Sequence, residues 1–250
     1  MPVRRALVLV VGAVVCAGVL GGGCAPPSRE GPPPARQRTA AAHPGPPAVV
    51  FRPLPGLGPG MLARIPAATR QVLMVRAATE DASRGRAVLY ERDPVRGWSA
   101  AAGPWPTHNG LRGWTDDHHE GDLRTPVGVF GLSDAGGRLP DPGTRLPYDE
   151  DPAFTVEGDG HLGEPLEGSF DFVIAIDYNR VPGTTPLDPT RPLGDELGGG
   201  VWLHVDHGGP TNACVSLSEE HMRALLLALD PAERPVVVMG PEPALRDGMA

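Results

Sequence analysis

Apolar residues in this chain come in short runs, broken by stretches rich in glycine, proline and acidic side chains, and that spacing predicts many strands and few helices. Gln71-Val72-Leu73-Met74-Val75 reads as a strand, with Ala87-Val88-Leu89-Tyr90-Glu91 as its hairpin partner across a polar turn containing Gly85. Arg96-Gly97-Trp98-Ser99 begins a third strand. Thr125 to Leu132 alternates small and apolar residues and reads as an edge strand, its proline near the start, where a missing N–H is tolerated. Ser169 to Tyr178 carries the strongest strand pattern, Gly200 to Val205 is another, and Pro235 to Met239 is expected to close the sheet. One helix stands out. Ser218 is a good N-cap, Glu219 and Glu220 suit the positive end of the dipole, Met222, Leu225, Leu226 and Leu229 recur at helical spacing, and Asp230-Pro231 stops it. The expected fold class is mainly β, with a single well-supported helix.

Ahead of the strands the pattern changes twice. Arg4 and Arg5 precede an uncharged apolar core from Ala6 to Leu20, and Gly21-Gly22-Gly23 lead into Cys24, the order of a secretory signal. That core is shorter than the ~20 residues of a bilayer-spanning helix, so a permanent membrane span is the weaker reading. A cysteine after small residues at the end of an export signal resembles a bacterial lipobox. Residues 1–23 are therefore expected to be a lipoprotein-type signal, and Cys24 the lipidation site that anchors the chain outside the cytoplasm. The alternative is a secreted protein cut near the same place. Residues 24–66 are rich in proline (Pro32-Pro33-Pro34, Pro44-Gly45-Pro46-Pro47) and are expected to form an extended tether, because they hold too little apolar surface to fold. The folded domain is expected over 67–241, followed by a tail, 242–250.

Composition narrows the partners. Every basic residue is arginine, and the 34 glycines and 31 prolines agree with a turn-rich chain. The net charge of −8, with no basic patch, argues against a nucleic-acid partner.

The candidate chemistry centres on Cys214. Cys16 lies within the signal and Cys24 at its end, so Cys214 is the one thiol expected to stay free after export. His204 ends the run Val201-Trp202-Leu203, ten residues earlier, and a loop of small and polar residues joins the two. A thiol attacks as its thiolate and needs a base or a positive field beside it. If the two segments run side by side, imidazole and sulfur meet, and the helix beginning at Ser218 would add a favourable dipole. Backbone N–H groups at Ala213 and Cys214 could then hold an oxyanion. The plainer reading is a buried structural thiol and a strand-end histidine. His207, three residues from His204, is a second candidate base. His204, His207, Cys214 and Asp206 are also usable zinc ligands, though no tight metal spacing is present. His118, His119, Glu120, Asp116, Asp117 and Asp122 form a charged loop that reads as solvated, or else as part of a cleft or cation site. Trp105 and Trp114 are expected to cover the core.

His204 followed by Thr211-Asn212-Ala213-Cys214-Val215-Ser216-Leu217 resembles the active-site segment of L,D-transpeptidases of the YkuD type. Gly121 to Phe130 is similar to that family's Thr-Pro-x-Gly-x-Phe strand, and Ile176-Asp177-Tyr178-Asn179 and the run from the helix to Gly240 fit a divergent branch. Together they cover about Gln71 to Gly240. The resemblance implies a YkuD-like β-sandwich or mixed sheet, Cys214 as nucleophile and His204 as general base and acid. It implies peptidoglycan stem peptides as substrates, a cysteinyl thioester passed to an amine acceptor, and no metal or organic cofactor; the chain is expected to act as a monomer. Thr211 and Val215 match the pattern. Asn212 stands in place of a second histidine, Ala213 in place of glycine and Ser216 in place of arginine. Asn212 and Ala213 become candidate oxyanion or orienting residues; Thr211, Tyr148 and Arg145 become candidate substrate contacts. The departures leave open a degenerate domain that only binds peptidoglycan.

Overall fold

The computed structural model describes residues 50–247. The expected signal, Cys24, the expected tether as far as residue 49 and residues 248–250 lie outside the described residues.

Helix α1 (Pro59–Arg64) leads into strands β1 (Gln71–Ala77), β2 (Arg84–Asp93) and β3 (Gly97–His108). Short strands follow as β4 (Trp114–Thr115), β5 (Thr125–Pro126), β6 (Gly128–Gly131), β7 (Ala135–Gly137), β8 (Tyr148–Glu150) and β9 (Val173–Ala175). The last part holds β10 (Trp202–Val205), β11 (Val215–Leu217), α2 (Glu219–Ala228), β12 (Val236–Pro241) and α3 (Glu242–Asp247). Ten strands form one mixed sheet in the order β6-β12-β1-β2-β3-β11-β10-β9-β7-β8, and β4 and β5 pair separately. The fold is mainly β, as the strand-and-turn pattern predicts.

Strand β1 lies between parallel β12 and antiparallel β2. Val72, Leu73, Met74 and Val75 are all fully buried, so both faces of β1 are covered and the strand reads as a continuous apolar run rather than an alternating one. β3 links the two halves of the sheet. It pairs with β2 along most of its length, with two register shifts near Leu89, and its last residue, His108, pairs with Ser216 of β11. Bulges of this kind bend a strand and increase its twist, which lets one sheet curl around its core.

Several expectations move. Gly85 lies inside β2, opposite Ala77, and not in the turn; a Cβ there would stand 2.6 Å from the Arg76 carbonyl oxygen, so close strand approach requires glycine. Of the ten-residue strand expected from Ser169, only Val173–Ala175 joins the sheet. The strand expected from Thr125 divides into β5 and β6, and β6 is indeed the sheet edge. β12 does not close the sheet but lies between β6 and β1.

Both ends of the domain extend further than expected. Leu54 and Met61 are buried, although they fall in the segment assigned to the tether, and α1 forms there with a proline in its first turn. Leu245 of α3 is fully buried and its carbonyl accepts the Gly58 N–H at 2.9 Å, so the expected C-terminal tail is part of the fold as far as Asp247.

Helix α2 forms where predicted. The Ser218 hydroxyl accepts the His221 N–H, and Met222, Leu225 and Leu226 face the core. The helix ends against Gln71, whose amide donates to the Ala228 carbonyl at 2.9 Å and accepts the Asp230 N–H at 2.8 Å.

Candidate active site

The site is assembled by the parallel pairing of β10 and β11, in which Leu203 faces Val215 and His204 faces Ser216. One step earlier in this register, Trp202 comes beside Cys214, and its N–H points at the sulfur over 3.4 Å. Side chains alternate along a strand, so Trp202, His204, Cys214 and Ser216 share one face of the sheet. Leu203, Val215 and Leu217 point the other way and are fully buried in the core. The sheet thus fixes the relative height of thiol and imidazole.

Parallel neighbours ordinarily need a crossover of a dozen or more residues. Here the return is a short loop, and it is pinned. The Thr211 N–H donates to the Asn109 carbonyl, the Thr211 carbonyl accepts from Leu111, and the Thr211 hydroxyl donates to the Cys214 carbonyl at 2.6 Å. Thr211 is buried, and its work is to fold the loop that presents Cys214. Ala213 has no positive φ, so alanine in the place of the family's glycine is unstrained. Neither the Ala213 nor the Cys214 N–H donates to another described residue, which leaves both free for an incoming oxyanion.

Cys214 is half-buried and His204 is 3% exposed. The His204 Nδ1 lies 2.9 Å from the Val205 carbonyl. A carbonyl only accepts, so Nδ1 carries the proton and Nε2 bears the lone pair. Burial holds the imidazole down to about 4 and pushes the thiol up to about 11. At neutral pH the pair is therefore thiol and neutral imidazole. The thiol donates to the Gly200 carbonyl at 3.6 Å, and Sγ makes no hydrogen bond to the His204 ring. Proton transfer requires the S–H to turn from Gly200 toward the imidazole. Alkylation of Cys214 by iodoacetamide should consequently rise about tenfold per pH unit from pH 8 to 10, because only the thiolate reacts. Peptide mapping reads the rate, and a plateau near pH 8 would contradict this environment.

A cavity of about 260 Å³ opens in front of these residues. Its wall includes Cys214, His204, Thr211, Asn212 and His207 from the two strands and their loop. Residues 156–170 supply the opposite wall, with Asp159, His161 and Phe170. Phe170 stands edge-on to both His204 and Trp202, holding the imidazole plane. Asn212 is exposed and its Oδ1 lies 3.1 Å from His161 Nε2, so this amide carbonyl faces a histidine from the other wall.

The thiol's second flank is a long loop. Asn179, at φ 43°, donates to the Gly194 and Gly198 carbonyls and accepts from Leu193, while the Tyr178 hydroxyl donates to the Leu197 carbonyl. Arg180, 7% exposed at its side chain, reaches Asp134 at 2.8 Å and Asp177 at 2.6 Å. These contacts order the segment that ends at Gly200 and Trp202, the two residues touching sulfur.

Other expectations are corrected. Tyr148 sits on the edge strand β8 and donates to the Leu139 carbonyl; Arg145 pairs with Asp230; neither lines the cavity. The start of α2 is separated from Cys214 by the extended residues of β11, roughly 13 Å at strand rise, too far for its dipole to act on the sulfur. Asp206 accepts from Ser216 at 2.7 Å and His108 at 2.8 Å, and these bonds outweigh burial and hold its carboxyl below the usual range. It is thus engaged away from the thiol, and among the described residues no three His, Cys, Asp or Glu side chains converge to hold a metal ion. His118 pairs with Asp122 and stacks edge-on to Tyr178, so that charged loop braces Tyr178 and does not line the cavity. Trp105 and Trp114 are buried in the core as expected. The sequence pattern missed Glu164, His161 and Asp159, whose loop has no periodicity and lies far from Cys214 in the chain.

The chain matches no protein-family model, no curated protein and no solved structure.

Proposed function

We propose that this chain is a cysteine-dependent acyltransferase, an L,D-transpeptidase that forms a thioester with a peptidoglycan stem peptide and passes it to an amine. The observation that carries this reading is that Cys214 and His204 share one sheet face and one cavity, with the imidazole held in the tautomer that accepts a proton. His204 takes the thiol proton as sulfur attacks the scissile carbonyl. The oxyanion is met by the Ala213 and Cys214 N–H groups, and the imidazolium then gives its proton to the departing amine. The residue pattern from Thr211 to Leu217 supports the substrate class, and the signal-like N-terminus with Cys24 supports the place, outside the cytoplasm and tethered to a membrane by lipid. The enzyme acts as a monomer on the wall and uses no cofactor.

A binding-only domain is the second reading, favoured by the sulfur's bond to the Gly200 carbonyl and its raised thiol. Intact mass after incubation with a carbapenem separates the two, since only a reactive Cys214 gains a covalent adduct.

A further inference from the structure

The cavity holds a second imidazole that the mechanism above does not use. His207 lies in the loop after β10, and its ring is parallel to that of His204, with centroids 5.8 Å apart and planes inclined by 7°. Its Nδ1 is 3.0 Å from Glu164 Oε1, which comes from a different part of the chain. Both side chains are largely covered, at 5% and 13% exposure. The N–H groups of Glu164 itself and of Leu162, together with the His207 ring, hold the Glu164 carboxyl below the usual carboxylate range. An ionised carboxylate only accepts, so it fixes the His207 proton on Nδ1 and leaves Nε2 without a partner among the described residues. Two imidazoles thus line the cavity that holds the thiol, each with Nε2 as its unprotonated nitrogen, but in different surroundings. His204 is sealed against carrying charge, whereas His207 has a carboxylate to balance an imidazolium. The cavity wall also includes Asp159 and no arginine among the described residues, a surface that suits an incoming ammonium or amine.

We propose that His207, positioned by Glu164, is the acid–base group of the second half-reaction, taking the proton from the amine or water that attacks the acyl-Cys214 thioester. This rests on the thioester chemistry proposed above. As the nucleophile's N–C or O–C bond forms, its proton passes to His207 Nε2. The tetrahedral intermediate collapses, the C–S bond breaks, and the expelled thiolate recovers that proton, so both histidines end neutral. The division of labour assigns acylation to His204 and release to His207.

p-Nitrophenyl acetate separates the two steps, because the burst of nitrophenolate reports thioester formation and the slower steady release reports its breakdown. Glycinamide, added as an amine, should speed the steady phase of the unmodified protein. His207→Gln should keep the burst rate constant within about threefold, lower the steady rate at least about tenfold, and lose most of the response to glycinamide. Glu164→Gln should produce a smaller loss in the same phase, with the burst intact, a split that damage to the fold would not give. The proposal is overturned if His207→Gln breaks down the thioester at the unmodified rate, or if burst and steady phase fall together. Nitrophenolate release that is unchanged in Cys214→Ala would instead remove Cys214 as nucleophile, and the function proposed above with it.

Discussion

Replacing His204 by glutamine is expected to slow acylation of Cys214 by about 100-fold or more while leaving the fold intact. The size of the effect follows from the thiol's surroundings. Burial pushes that thiol up to about 11, so at neutral pH almost no thiolate exists before a base removes the proton. No arginine lines the cavity among the described residues, and the helix dipole is too far along β11 to help. His204 lies on the same sheet face as Cys214, and glutamine preserves a similar volume and a polar end without proton exchange. Burial holds the imidazole down to about 4, so its lone pair is available at any pH well above that value. The sign follows directly: acylation is lost as pH falls through about 4 and the ring protonates, and it keeps its base above. Stopped-flow rates of adduct formation read the variant. Normal acylation in His204→Gln with a loss in His207→Gln would show that the base is the other histidine.

The second large effect is on stability. Arg180→Met should cost about 3–5 kcal/mol, because it leaves two buried carboxylates without their cation. The guanidinium reaches Asp134, Asp177 and the Ser133 hydroxyl, and the Gly183 N–H completes the cluster on Asp134. Such a cost corresponds to a fall in Tm of roughly 10 °C for a domain of this size. Burial already raises the Asp177 carboxyl above its ordinary range, even with Arg180 present. A raised carboxyl destabilises the folded state at pH above its folded value, and the penalty is relieved as pH falls through that value and the group protonates. The deficit of Arg180→Met should accordingly be greatest near neutral pH and shrink on acidification. Thermal melts at several pH values measure this; a deficit that grows on acidification would mean the carboxylates are not the cause. The same variant should loosen the segment ending at Gly200, whose carbonyl holds the resting thiol.

The legible parts of this chain are those where local pattern and tertiary environment agree. β1, β2, β10, β12 and α2 carry apolar runs or helical spacing and form near their expected places. Strand β3 is the main loss. Beyond Trp98 it runs through Ser99-Ala100-Ala101-Ala102-Gly103-Pro104, small residues with no strand signature, and it is a strand because β2 offers a full edge to pair with. The Ser169 run is over-read for the opposite reason, since Asp177 leaves the sheet to meet Arg180. Helices α1 and α3 are hidden by proline-rich or terminal context, and exist because Met61 and Leu245 find core to bury in.

The site shows the same division. Cys214 and His204 are near neighbours in the chain, so their meeting needs only one strand pairing. Asn212 and Thr211 follow from that loop. Glu164 and His161 come from a separate loop whose approach depends on the whole curl of the sheet. Tyr148 and Arg145 fail for the converse reason: resemblance placed them near the substrate, while the fold places them on the sheet edge and against Asp230.

The most direct measurement is intact mass of the purified protein after incubation with a carbapenem, run beside Cys214→Ala. A reactive thiol–imidazole pair predicts one covalent adduct on the unmodified chain, mapped to the Cys214 peptide, and none on the variant. An unmodified chain that stays at its native mass, or an adduct that persists in Cys214→Ala, would contradict it.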